Sequence, residues 1–220
     1  MYPCIEAIEW IDGAAQRLDY HQRRVEAAFQ CLFPDKQAFN LRNELEKIRE
    51  KKLQVKDLSD EPEALFDKES PFFPEKGKYK LRLLYDDHLR VVEFQEYQLR
   101  TIASLKLMNI QYETTNYKSS SRRPIEEAFA GRGTCDDVLL VRDDLLTDTS
   151  YANIALFDGQ KWISPRIPLL YGTRRAYLLD HQEIVTGDIR VEDLAQFQRI
   201  RLFNALIDFG DIDLPVASII

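Results

Sequence analysis

The second half of this chain is broken by turn signals into short apolar runs, and that rhythm most constrains its fold. Residues 138–141, 145–147, 154–157 and 162–163 are each too short for a helix and are flanked by Asp, Asn, Gly or Pro, so they read as strands. Asp158-Gly159 is a hairpin signal between two of them. Residues 105–110 add another strand, and the apolar run 202–209 is expected inside. Two helices interrupt the strands. Pro124 suits the first turn of one ending near Gly131, and Gly172 leads into one ending near Asp180.

The first half has a different texture. Residues 4–11 read as a strand of imperfect alternation, closed by an Asp12-Gly13 turn. Asp19 is the expected N-cap of a helix over 20–32, with Val25, Ala28, Phe29 and Leu32 on one face and Pro34 as its stop. A second, highly charged helix is expected over 41–53, and strands over 79–85 and 90–96. Residues 56–78, rich in Asp, Glu, Pro and Lys, read as a long surface connection. The fold class is α+β with largely antiparallel sheets. It divides into a small N-terminal domain, 1–97, and a larger domain, 98–220, joined near 97–103.

Composition narrows the function. A chain of 220 residues with 45% hydrophobic and 30% charged residues can bury a core as one large or two small domains. No apolar run approaches a membrane span, and the N-terminus lacks the pattern of a signal peptide. Cys4, Cys31 and Cys135 are odd in number and far apart, which fits reduced thiols in a cytoplasm better than disulfides or a zinc site. A net charge of −7 argues against a general nucleic-acid binder, although a few arginines can still make a local anion pocket. Three histidines, His21, His88 and His181, leave little for a histidine metal site. Dinucleotide, nucleotide and nucleophile-elbow motifs are missing.

Three segments carry the chemistry. Asn116-Tyr117-Lys118-Ser119-Ser120 offers an amine. Thr147-Asp148-Thr149-Ser150-Tyr151-Ala152-Asn153 offers a carboxylate and an amide. Gly172-Thr173-Arg174-Arg175 offers a glycine turn opening a helix, which suits an anion. Alone, Lys118 would be a solvated loop lysine and Asp148 a turn residue. Together they supply what pyridoxal 5'-phosphate (PLP) needs: an amine to hold the aldehyde carbon, a carboxylate for the ring nitrogen and a seat for the phosphate.

Their order and spacing resemble the class IV aminotransferases, the fold-type IV PLP enzymes, most strongly from Tyr112 to Phe209. That family includes branched-chain and D-amino acid aminotransferases and aminodeoxychorismate lyase. The resemblance implies two α/β subdomains as in D-amino acid aminotransferase-like enzymes. It implies Lys118 as the catalytic Schiff-base lysine. Asp148 would hold the pyridine nitrogen where the family usually has glutamate, with Asn153 at the family's spacing. Gly172, Thr173 and Arg174 would form the phosphate cup, with threonine one place earlier than usual. His21-Gln22-Arg23-Arg24 resembles a family pattern whose arginine, here Arg24, reaches the phosphate from the small domain. Cys4-Ile5-Glu6-Ala7-Ile8-Glu9 resembles a family strand, and the elements that usually precede it are expected to be missing, which shortens the N-terminal domain. Tyr97 and Arg100 are candidates for the substrate carboxylate. The implied activity is aminodeoxychorismate lyase, releasing pyruvate to give 4-aminobenzoate for folate synthesis. The alternatives are an aminotransferase for branched-chain or D-amino acids, or a non-catalytic member that binds a ligand or partner. A cytoplasmic homodimer is expected.

Overall fold

The computed structural model describes residues 3–54 and 73–220. The connection expected over 56–78 lies, up to residue 72, outside the described residues. The chain divides into two compact units. The first takes Met1–Tyr97 and Tyr117–Ser120, and the second takes Gln98–Asn116 and Ser121–Ile220.

In the first unit the described elements are β1 (Cys4–Ile11), β2 (Ala14–Ala15), α1 (Leu18–Leu32), α2 (Leu41–Gln54), β3 (Lys78–Tyr85) and β4 (Leu89–Glu96). The strands form an antiparallel sheet in the order β2-β1-β3-β4. β1 runs against β3 along its whole length, from Cys4 opposite Tyr85 to Ile11 opposite Lys78. Its alternation is imperfect because six of its eight residues are buried, Glu6 and Glu9 among them. Each of these carboxylates has cationic partners: Glu9 meets Arg17 and Lys78, and Glu6 meets Arg24. Ile8, Val25, Phe29, Leu41, Leu81, Leu83 and Tyr85 make the centre of the core.

Helix α1 buries Val25, Ala28 and Phe29 as its spacing predicts, but it begins earlier than expected. Arg17, in the left-handed region at φ 50°, ends the preceding turn, so the helix starts at Leu18 and Asp19 lies in its first turn instead of capping it. There its charge still favours the positive end of the helix dipole. The helix stops ahead of Pro34, where the Phe33 N–H donates to the Phe29 carbonyl at 2.8 Å.

The second unit contains β5 (Leu105–Asn109), α3 (Arg123–Ala130), β6 (Asp137–Arg142), β7 (Leu145–Thr149), β8 (Asn153–Phe157), β9 (Trp162–Pro165), α4 (Thr173–Asp180), β10 (Val185–Gly187), β11 (Arg199–Phe203) and β12 (Ile212–Pro215). Its sheet runs β10-β9-β8-β7-β6-β5, and β11 pairs with both β8 and β12. Pairing is antiparallel except for β5 with β6 and β9 with β10. Ile154, Ala155, Leu156, Ile200, Leu202 and Phe203 are fully buried where β8 and β11 meet. The mixed α and β architecture is the expected one. β10, β11 and β12 are additions to it, the run expected inside over 202–209 supplying only the end of β11.

Candidate active site

The β7–β8 hairpin places Asp148 directly opposite Asn153. Their spacing of five is thus the register of a tight hairpin. Thr149 closes the connection: its N–H donates to the Ala152 carbonyl at 2.8 Å, and its Oγ1 accepts the Ala152 N–H at 3.1 Å. Across the strands Asn153 Nδ2 donates to Asp148 Oδ1 at 2.8 Å.

A third segment locks this pair. The Leu170 N–H donates to Asp148 Oδ2 at 2.9 Å, and the Leu170 carbonyl accepts from Asn153 Nδ2 at 2.9 Å. The same stretch holds the chain that leads toward Lys118. Thr114 Oγ1 donates to the Pro168 carbonyl at 2.8 Å, and the Thr115 N–H to the Leu169 carbonyl at 3.0 Å. Asp148 is 5% exposed. Burial pushes its carboxyl up to about 6, against the hydrogen bonds from Asn153 and Leu170 and the positive charge of Arg175. A carboxylate has about four lone-pair sites, so two bonds leave room for a further donor.

Two residues on, Gly172 caps α4 at φ −71° and ψ 147°, a conformation open to any residue. It is glycine for want of space: a Cβ there would collide with Asn153 Oδ1 and come within 3.1 Å of Asn153 Cγ. Thr173, Arg174 and Arg175 are all buried. The Arg174 guanidinium pairs with Asp208, and its Nε lies 3.4 Å from the Asn204 carbonyl. Arg175 donates to Ser164 Oγ at 3.2 Å and to the Pro165 carbonyl at 2.7 Å. What the α4 N-terminus offers an anion is the outward-facing amides of a first helical turn.

In the first unit Lys118 is half-buried on a segment that adds to β1. The Ile5 N–H donates to the Lys118 carbonyl at 2.9 Å, Ser119 bridges to Cys4, and the Ser120 N–H donates to the Pro3 carbonyl at 3.0 Å. Arg24 forks onto Glu6, with Nε 2.8 Å from Oε1 and Nη2 2.5 Å from Oε2, and His21 Nδ1 reaches the same Oε2 at 2.5 Å. Burial opposes the Glu6 charge, but Arg24 and His21 prevail and hold its carboxyl down at about 2. Burial keeps His21 below its ordinary value, and because an ionised Glu6 carboxylate only accepts, the Nδ1–H of His21 is the donor in their contact. Tyr97 follows β4, with Lys78 Nζ 5.5 Å from its ring centre. Arg100, in the second unit, is exposed and lies 5.2 Å from the Tyr151 ring centre, over the hairpin connection.

Three further residues support the hairpin and were not singled out for it by sequence. Arg122 Nη2 donates to the Ser150 carbonyl at 2.7 Å, and its guanidinium, lowered by burial, feels the charge of Asp148. Asn204 Nδ2 donates to the Tyr151 carbonyl at 3.1 Å. Arg175 adds positive potential to Asp148. A cation four residues beyond the candidate lysine was the signal available for Arg122. Among the described residues one group of metal-type donors clusters, Asp86, Asp87 and His88, and its carboxylates are already paired with Arg90 and Lys36.

A model of the class IV amino-transferase family matches residues 4–214. The chain belongs to this family. It is 29% identical over 209 residues to an uncharacterized protein of Haemophilus influenzae, covering 94% of this chain and 98% of that one. A crystal structure from Haemophilus somnus, of a protein provisionally named 4-amino-4-deoxychorismate lyase, superposes with a TM-score of 0.77 at 28% identity, covering 95% and 98% of the two chains. The PLP-bound form of a hypothetical aminotransferase from Mycobacterium tuberculosis shares the fold, with a TM-score of 0.69 at 15% identity over 99% of this chain and 81% of that one. The protein is a PLP-dependent enzyme. Its residues fit the cofactor: a buried carboxylate with acceptor capacity to spare lies beside the opening of a helix, in one unit. Among the described residues no helix is long and apolar enough to cross a membrane.

Proposed function

We propose that the enzyme is an aminodeoxychorismate lyase, releasing pyruvate from its substrate to leave 4-aminobenzoate, and that it works as a cytoplasmic homodimer. The observation that carries the chemistry is the Asp148 seat, a buried carboxylate fixed by Asn153 and Leu170. Likeness to the Haemophilus somnus protein supports the lyase outcome. When bound, PLP supplies an electron sink for negative charge at the substrate's α-carbon.

The chain's own residues do the rest. Asp148 keeps a proton on the ring nitrogen through a charge-assisted hydrogen bond. Asn153 holds the carboxylate in that orientation. Lys118 Nζ takes the proton from the α-carbon, which requires a neutral amine. Gly172, Thr173 and Arg174 hold the phosphate at the opening of α4, and Arg24 adds a guanidinium donor. Arg100 and Tyr97 bind substrate carboxylate.

Two measurements test this reading. Borohydride reduction and peptide mapping should place the cofactor on Lys118, and an adduct confined to another lysine would sink that assignment. Purified enzyme given aminodeoxychorismate should form 4-aminobenzoate and pyruvate in equal amounts with no keto acid added as acceptor. Amino transfer that requires a keto acid, with no 4-aminobenzoate formed, would replace lyase by aminotransferase.

A further inference from the structure

We propose that Gly172 is a positioning residue for the ring-nitrogen seat, acting through Asn153 on Asp148; the inference rests on the PLP reading above. The glycine is not demanded by its backbone angles, which any residue adopts. It is demanded by Asn153, whose Oδ1 occupies the space a side chain at 172 would need.

The position of Asn153 is not adjustable at little cost. Its Nδ2 is held between Asp148 Oδ1 at 2.8 Å and the Leu170 carbonyl at 2.9 Å, which fixes the amide plane and turns Oδ1 toward residue 172. A methyl group at 172 would rotate or displace that amide. One or both Nδ2 bonds would then break, and Asp148 Oδ1 would lose its partner in a buried setting. Leu170 also bonds Asp148 Oδ2, so the stretch from Leu170 to Gly172 sets the carboxylate and the start of α4 as one piece. Glycine at 172 thereby ties the phosphate end of the site to the ring-nitrogen end.

The test compares PLP with pyridoxal, which lacks the phosphate, by absorbance titration of wild type, Gly172→Ala, Asn153→Ala and the double variant. If Gly172 acts through Asn153, Gly172→Ala weakens both compounds at least about tenfold, equivalent to ~1.4 kcal/mol each. The double variant then binds no worse than Asn153→Ala alone, the non-additivity of residues in contact. A loss confined to PLP, with pyridoxal unchanged, or single-variant losses that multiply in the double variant, would overturn the inference. The urea midpoint of cofactor-free protein gives an independent reading. Gly172→Ala should lower it, and adding Asn153→Ala should remove most of that loss. If Gly172→Ala alone is insoluble, a soluble double variant supports the link and an insoluble one overturns it. Wild-type protein that binds neither compound would overturn the functional reading, and the urea cycle would then decide the steric link by itself.

Discussion

Arg24 commits two of its donors to Glu6, and the pair is buried together with His21. Removing one member of such a pair leaves a charge without its main compensation. Arg24→Ala is therefore expected to cost about 3–5 kcal/mol of stability, read by urea unfolding of cofactor-free protein. Adding Glu6→Gln should recover part of it, and a loss unchanged by the second substitution would contradict the pairing. Asp148 gives a second prediction. Its carboxyl is lifted to about 6 by burial, and the role proposed for it at a protonated ring nitrogen requires the ionised form. Affinity of the cofactor-free protein for PLP should fall as the pH is lowered through about 6, and Asp148→Asn should flatten that dependence. Asp148 and Asn153 were legible in the sequence because their spacing is local. Arg122, Arg175 and Asn204 were not, because each bonds a carbonyl or hydroxyl that only the folded chain brings near.

At the scale of elements, the β7–β8 hairpin that carries Asp148 and Asn153 is closed through the hydroxyl of Thr149. Thr149→Val keeps the shape and removes the acceptor for the Ala152 N–H. It should cost about 1–3 kcal/mol, the penalty of a buried unsatisfied donor, while Thr149→Ser stays near wild type. Calorimetry of the two variants checks this, and equal loss in both would point to packing instead. Most strands could be read from short apolar runs between turns. β10 and β12 could not, since Val185 is 40% exposed and neither strand alternates clearly. The early start of α1 was hidden too, because nothing in the residue type of Arg17 announces a left-handed conformation. The stretch from Pro168 to Leu170 works through backbone groups, which no side-chain pattern records.

For the whole molecule, acid acts in opposite senses on different buried groups. Glu6 is held at about 2 in the fold against an ordinary 4.5, so its contribution is present above 4.5 and is lost as the pH falls toward 2. His21 is lowered from 6.5, so it too disfavours the fold once the pH drops below that value. Asp148 runs the other way: its strain is felt above about 6 and is relieved as the pH falls toward 3.8. The stability of wild type relative to Asp148→Asn, without cofactor, should therefore rise from pH 7 to pH 4 in urea titrations. A relative stability that falls over that range would refute the raised carboxyl. Light scattering of the cofactor-loaded protein should give a dimer, and a catalytically competent monomer would remove that part of the proposal. The first unit is discontinuous in the chain, resuming at Tyr117–Ser120 after Gln98–Asn116. On a ribosome, where the N-terminal part emerges first, Cys4 and Ile5 must wait for that later segment before their open strand edge is covered. Sealing that edge and delivering Lys118 are then one event in the life of the nascent chain, and a product aborted before residue 117 would present chaperones with an unfinished sheet as well as lacking the lysine proposed to hold the cofactor.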